Sequence, residues 1–201
     1  MRVAASYKGF IGAISRYWRD YGGWRDFLAS PLLHLSVLIT AGSYRVWLNG
    51  TWVDIPLALL PNLLGFSLGS YALIFSLANE KFTAALSVAS TDNRPTLLRM
   101  INATFLHFML MQTAALIFAI SQKGSAIIDL VGMLPIRRDI INLIQAILAG
   151  AAGAFGYWLT VYAIVLLIGA AIAAYRLAIM SAKAASPSPE NGSPPAGGPI
   201  Q

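Results

Sequence analysis

The residues best suited to chemistry are the two histidines, because both fall inside apolar segments of the chain. By the rise of an α-helix, His34 would lie roughly 10 Å into the first predicted membrane span and His107 roughly 13 Å into the third. Both spans are predicted to run outward from the cytosol, so the two imidazoles could meet at one depth. An ionisable group at that depth is a candidate functional site. The alternative, which we favour, is a neutral histidine bonded to Asn102, Thr104 or a backbone carbonyl.

Three amide side chains also fall inside predicted spans, and with the two histidines they form a candidate buried polar site: Asn62, Asn102 and Gln112. Asn102 and Thr113 share one face of the third span, whereas His107 and Thr104 lie on the other. A wide aqueous channel lined by one helix would show a continuous polar stripe, so this arrangement indicates hydrogen bonds between helices. A narrow pore, or one lined at a subunit interface, is also compatible with the pattern.

Most enzyme and metal chemistry is disfavoured by what the chain contains. It has no cysteine, which excludes disulfides and thiolate metal sites. No acidic residue lies deep in a predicted span, and two histidines alone fall short of the usual metal ligand set. We find no Ser/His/Asp set, phosphate-binding loop or metalloprotease motif. We therefore expect a protein that is not an enzyme and that needs no metal or cofactor.

The elements that position these residues are membrane helices. Hydrophobic residues make up 57% of the 201 and charged residues only 11%, where a soluble chain carries about a quarter charged. We predict an all-α integral membrane protein whose domain, residues 27–178, has four transmembrane helices, at about 27–46, 54–78, 98–120 and 153–174. Residues 125–152 are left open as an interfacial segment, a re-entrant segment or part of a long fourth helix.

Small residues are placed where helices could pack closely. Pro61, Gly65 and Gly69 share one face of the second span, and Pro61 is expected to kink it. The fourth span has a similar series in Gly150, Gly153 and Gly156. Close approach of backbones drives association in lipid, so we expect these faces to mediate helix packing or oligomerisation.

The two ends of the chain differ from the membrane domain. Residues 1–26 predict an amphipathic helix at the cytosolic membrane interface, with basic side chains on its polar side: Arg2, Lys8, Arg16 and Arg19. The alternative is a helix packed on the cytosolic surface of the protein itself. Residues 179–201 are rich in Pro, Gly and Ser and predict a disordered tail.

The distribution of basic residues predicts the topology. Ten Lys and Arg residues would lie on the side of both termini and four on the other, so both termini are predicted to be cytoplasmic. The net charge of +6 then suits anionic lipid rather than nucleic acid, which we do not expect as a partner.

The expected function is non-enzymatic. The first hypothesis is a homo-oligomeric pore or membrane-perturbing effector in the bilayer. The second is a membrane anchor or sensor subunit that recruits a cytosolic protein, and the third is a small transporter. In size and layout the chain resembles small four-span proteins of bacterial anti-phage defence operons. That resemblance covers no specific motif; it implies a bacterial inner-membrane protein with a defence role.

Overall fold

The computed structural model describes residues 2–77, 87, 95–124 and 137–185. The described chain is helical and contains no strand, which confirms the all-α prediction. Besides a 3-10 turn at Thr51–Val53, its helices are α1 (Arg2–Tyr21), α2 (Gly23–Leu28), α3 (Pro31–Gly42), α4 (Tyr44–Leu48), α5 (Asp54–Leu77), α6 (Leu97–Lys123) and α7 (Arg138–Ala185).

Three of these helices are long and apolar enough to cross a membrane, and they lie in the segments Thr51–Leu73, Leu97–Lys123 and Arg138–Met180. A crossing needs about 20 residues of helix. The helices α5, α6 and α7 meet that requirement, which is compatible with a membrane protein.

The first predicted span is not one continuous helix. Residues 27–46 are divided among α2, α3 and α4, of which α3 is the longest with 12 residues. Pro31 begins α3, because proline is tolerated in a first helical turn but cannot continue the helix before it. The helix is interrupted again at Ser43, between α3 and α4. A crossing at residues 27–46, which would bring the number of spans to four, therefore stays a prediction.

The last helix is longer than predicted. α7 runs without interruption for 48 residues, a length of about 72 Å against a hydrocarbon core of about 30 Å. Residues 138–152 are therefore the beginning of this helix, which selects one of the three alternatives for that segment. Residues 179–185, assigned to the predicted tail, continue the same helix, and 125–136 and 186–201 lie outside the described residues.

The helices pack around α6. It contacts α7 on one side and α5 on another, while α3 packs on α7. Leu60, Ala115, Leu159 and Ala163 form the core where α5, α6 and α7 meet. The N-terminal helix α1 also packs on α6. It can turn back toward the bundle because Gly22 and Gly23 have positive φ angles of 108° and 66°, a conformation that favours glycine.

Two of the predicted small residues, Gly153 and Gly156, lie against α4 and the 3-10 turn that follows it. Trp52 is 2% exposed and lies over α7, where a Cβ added at Gly156 would collide with its ring and with Phe118. A Cβ added at Gly153 would lie 2.6 Å from the carbonyl oxygen of Trp47. These glycines thus make room for tryptophan and backbone of the same chain. By contrast, a Cβ added at Gly150 meets nothing within 4 Å.

The glycine contacts predict opposite effects of two similar substitutions. Gly153→Ala should destabilise the fold by about 1–3 kcal/mol, because the backbone of Trp47 cannot retreat from the new methyl group. Gly150→Ala, one turn away in open space, should be neutral or stabilise by up to about 1 kcal/mol through helix propensity. Thermal unfolding of both variants in detergent measures the difference, and equal unfolding temperatures would contradict the packing described above.

Candidate functional site: a histidine held by two tyrosines

The buried polar centre of the protein is His107, which α6 presents to the interior. Its side chain is 1% exposed. Residues four positions apart on a helix share a face, and Ala103, four residues before His107, is buried as well. His107 is therefore on the packed side of α6.

Both ring nitrogens of His107 have a tyrosine partner. The hydroxyl of Tyr17, from α1, lies 2.5 Å from Nδ1. The hydroxyl of Tyr162, from α7, lies 2.9 Å from Nε2. One imidazole thus joins three helices that are far apart in the sequence. We call Tyr17, His107 and Tyr162 the His–Tyr cluster.

The chemistry of the three groups lets the imidazole form a hydrogen bond at each of its two nitrogens. A neutral imidazole has one N–H donor and one acceptor nitrogen, and a phenol can donate or accept. One tyrosine therefore donates to the bare nitrogen while the other accepts from the N–H. Reversing both bonds serves the other tautomer, so either tautomer is fully paired.

Aromatic rings enclose the imidazole. The ring of Tyr21 stacks on it with centroids 4.2 Å apart and an interplanar angle of 21°. Phe27 contacts the same imidazole edge-to-face at 6.0 Å and contacts Tyr162 in the same way. Such pairs add about 0.5–1.5 kcal/mol each beyond the area that they bury. The surrounding rings fix the plane of the imidazole.

Burial also keeps the two tyrosines of α1 protonated. Removal from solvent raises the pKa of Tyr17, and the neighbouring Tyr21 raises it further. Burial raises the pKa of Tyr21 as well; its hydrogen bond with Tyr162 lowers it, and the Asp26 carboxylate raises it. Both phenols therefore carry their protons at physiological pH and act as hydrogen-bonding groups rather than as anions.

The structure does not bring the two histidines together. His34 is exposed on α3, and His107 bonds to tyrosines rather than to Asn102, Thr104 or a carbonyl. Asn102 instead accepts a hydrogen bond of 3.2 Å from the hydroxyl of Tyr71. The side chain of Asn62 is exposed on α5. The five residues of the candidate buried polar site are therefore not in one place, and only His107 among them belongs to the His–Tyr cluster.

Gln112 lies deeper in the same helix and is completely buried. Among the described residues, neither its amide nitrogen nor its amide oxygen has a hydrogen-bond partner. An unpaired buried amide costs about 1–3 kcal/mol, so this residue weakens the bundle in the arrangement observed.

Six of the remaining predicted residues are on the outer surface. Pro61, Gly65 and Gly69 are exposed along α5, and an added Cβ at either glycine meets nothing within 4 Å. On α1, the side chains of Lys8, Arg16 and Arg19 are exposed, and Arg2 is the first residue of the helix.

The two tyrosine partners were missed from sequence because nothing in a single chain pairs positions so far apart. The spacing of large apolar side chains nonetheless points to both tyrosines. Tyr17 follows Ile14 by three residues and precedes Tyr21 by four, so the three side chains share one face of α1. Tyr162 follows Trp158 by four residues on α7, and their rings stack at 5.8 Å.

Comparison of the chain with protein-family models, curated proteins and solved structures gave no match. Among the described residues no group of three His, Cys, Asp or Glu side chains could hold a metal ion. What the His–Tyr cluster can do is hold α1 against α6 and α7 through one imidazole whose two nitrogens are both paired.

The cluster predicts that one hydroxyl holds the N-terminal helix in place. Tyr17→Phe leaves Nδ1 of His107 without its partner, at a cost of about 1–3 kcal/mol. We expect α1 to open more often, so that trypsin cleaves after Arg16 and Arg19 about tenfold faster, since 1.4 kcal/mol corresponds to a factor of ten. Tyr7→Phe is the matched control, because Tyr7 is 65% exposed. Equal cleavage rates in both variants would show that the bond does not secure α1.

The unpaired amide makes a second prediction. Gln112→Met keeps the length of the side chain and removes its polar atoms, so the variant should be more stable by about 1 kcal/mol. Gln122→Met, near the end of α6, should change stability by less than about 0.5 kcal/mol. Chemical unfolding in detergent measures both. A destabilised Gln112→Met would indicate that the amide has a partner beyond the described residues.

Proposed function

We propose that the chain is a non-enzymatic membrane protein that works as a homo-oligomer assembled through α5, and that the oligomer is a pore-like or membrane-perturbing effector. The observation that supports this proposal most is the outward face of α5, which has the composition of a helix interface and no helix against it among the described residues.

The two sides of α5 are clearly distinguished. Pro56, Leu60 and Ser67 are buried toward the rest of the protein. The opposite side carries small residues at spacings of seven, four and three, which places them along one line: Ala58, Gly65, Gly69 and Ala72. All four are exposed. We call this line the α5 small-residue face.

Large side chains border the α5 small-residue face. Phe66 is 70% exposed and Leu68 is 51% exposed, on either side of the line. The surface is therefore a shallow groove between apolar ridges rather than an even layer of side chains. A groove of this kind lets a second helix approach closely, and van der Waals packing at such contacts drives association where the hydrophobic effect is absent.

Asn62 adds a polar reason for association. It precedes Gly65 by three residues and Gly69 by seven, so it lies beside the small-residue face, and it is exposed. An amide facing hydrocarbon is unfavourable, and amides in membrane helices commonly hydrogen-bond across helices at about 0.6–2 kcal/mol each. Assembly around α5 would give Asn62 such a partner in a second copy.

The same geometry favours a conducting path between subunits over one through a subunit. The centre of the bundle is filled, with Leu60, Ala115 and Ala163 at most 1% exposed. A channel would therefore be lined at the oligomer axis, where Asn62 is a polar residue available to face it.

The same proposal includes the membrane in which the chain resides, its topology, its fourth crossing and the role of α1. We place the chain in a bacterial inner membrane with both termini in the cytoplasm, and we take α3 with its flanking turns as the fourth crossing. The basic face of the interfacial helix α1 would bind the membrane surface. The resemblance in layout to small anti-phage defence proteins agrees with an effector of this kind.

A second function is favoured by the first half of α1. Tyr7, Phe10 and Ile11 are 65%, 67% and 63% exposed. In the interfacial arrangement these side chains enter lipid. If they bind a protein instead, the chain is an anchor or sensor subunit for a cytosolic partner, and that partner should co-purify in fixed stoichiometry.

The proposal predicts that filling the groove on α5 prevents assembly. Gly65→Leu and Gly69→Leu should each raise the dissociation constant of the oligomer at least about tenfold, because the leucine holds the second helix away. Native mass spectrometry from nanodiscs measures the oligomer. Release of a trapped dye from reconstituted liposomes should fall in parallel.

Gly42→Leu is the matched control, since an added Cβ at Gly42 also meets nothing within 4 Å but lies at the end of α3. Unchanged oligomer mass in both α5 variants would contradict assembly through this face. Intact oligomer in liposomes that retain their dye would contradict the pore while leaving self-assembly in place.

A further inference from the structure

A cavity of about 310 Å³ lies between α1 and the beginning of α6. Gly9 and Ala13 form its wall on α1, and Ala103 and Leu106 form its wall on α6. Charged side chains lie at one end of the cavity, where Asp20 contacts Arg99 and Arg16 is one turn away on α1, and Tyr17 and Asn102 are further polar residues of the lining. The cavity thus has a charged end and a lining beyond it that is mostly small and apolar.

The charged end is built from two helices. Arg16 comes from α1 and Arg99 from α6, so the docking of α1 on α6 is what brings the two guanidinium groups to one cavity. Asp20 lies 3.6 Å from Nε of Arg99 and is 14% exposed, while Arg99 is 52% exposed. The contact engages one edge of the guanidinium, which carries four further N–H groups on its terminal nitrogens. With two cations and one anion, the end of the cavity keeps a positive charge.

The position along α6 matches a lipid headgroup. Arg99 is the third residue of α6, where that helix would enter the membrane. Leu106 lies seven residues further on, about 10 Å deeper by helical rise. The charged end of the cavity is therefore at the level of phosphate groups, and its apolar wall is at the level of the first methylenes of an acyl chain.

We infer that this cavity binds one anionic phospholipid, with its phosphate between Arg16 and Arg99 and the beginning of an acyl chain along Ala103 and Leu106. Guanidinium groups suit this ligand, because their planar N–H pairs match two phosphate oxygens. A zwitterionic lipid would bring a quaternary ammonium group to a site with excess positive charge. The site therefore favours phosphatidylglycerol over phosphatidylcholine.

The lipid would also stabilise the docked form of α1. Tyr17 lines this cavity and its hydroxyl bonds to His107. A ligand that contacts both α1 and α6 binds the docked arrangement better than an open one, and the coupling is reciprocal. Anionic lipid should therefore slow tryptic cleavage of α1 in the wild-type protein. This inference concerns one subunit and does not depend on assembly through α5.

The test is lipid binding to the full chain in nanodiscs of phosphatidylcholine alone or of an equal mixture with phosphatidylglycerol, followed by native mass spectrometry of the released protein. We expect one retained phosphatidylglycerol per chain, held about tenfold more tightly than phosphatidylcholine. The double variant Arg16→Gln/Arg99→Gln should lose that preference. Lys8→Gln, on the same helix but outside the cavity lining, should keep it.

A second variant changes the shape of the cavity without changing its charge. Gly9→Leu places a side chain on the α1 wall, where an added Cβ meets nothing within 4 Å, and should reduce lipid retention without unfolding α1. Inorganic phosphate distinguishes the two possible sources of the anion. If it displaces the retained lipid at millimolar concentration and Gly9→Leu has no effect, the site binds free phosphate and the lipid assignment is wrong.

Two further outcomes would overturn the inference. Equal retention of phosphatidylglycerol and phosphatidylcholine by the wild-type chain would show that the two arginines do not select an anionic headgroup. A loss of preference in Lys8→Gln as large as in the double arginine variant would show that attraction to the whole basic helix, rather than a built site, explains the binding.

Discussion

The hydrocarbon core of a bilayer offers polar groups no water, so each must find its partner within the protein or in another copy of it. This constraint explains the orientation of most polar side chains in the long helices. Ser67 and Thr160 return their hydroxyls to the carbonyls of Leu63 and Gly156 in their own helices. His107 takes a tyrosine on each nitrogen. Two amides of the described bundle depart from this rule: Gln112, which is buried without a partner among the described residues, and Asn62, whose side chain is exposed.

The same constraint connects the interior of the bundle with its surface helix. Because His107 is satisfied by α1 as well as by α7, the N-terminal helix is part of the packed structure rather than an appendage to it. Its second half is docked and its first half leaves aromatic side chains exposed. α1 thus connects the exposed aromatic side chains of its first half with the buried imidazole of His107, through the hydroxyl of Tyr17.

The all-helical architecture followed from periodicity and composition, because helix type is a local property of the sequence. The start of α3 at Pro31 is a local property, because proline suits a first helical turn, but the division of the first span also depends on how α2 and α4 pack. The extent of α7 could not be derived, because an apolar run longer than the bilayer is compatible with several arrangements.

The candidate site was less accessible to sequence reasoning. The sequence shows that His107 lies inside an apolar segment, but its partners Tyr17 and Tyr162 are separated from it by 90 and 55 residues. The glycines divide in the same way. Gly65 and Gly153 each belong to a series of small residues at helical spacing. Gly65 nevertheless faces open space, whereas Gly153 faces the backbone of Trp47, and that difference is set by tertiary packing alone.

The central claim, that α5 meets a second copy through its small-residue face, can be tested directly because the chain has no cysteine. Single cysteines at Ala58 and Ala72 should cross-link two chains in native membranes under mild oxidation. A cysteine at Ile168, which is 50% exposed on α7, provides the accessible control and should not cross-link. Dimers from both α5 positions and none from Ile168 are the predicted result. Monomers throughout, or equal cross-linking at all three positions, would contradict the account.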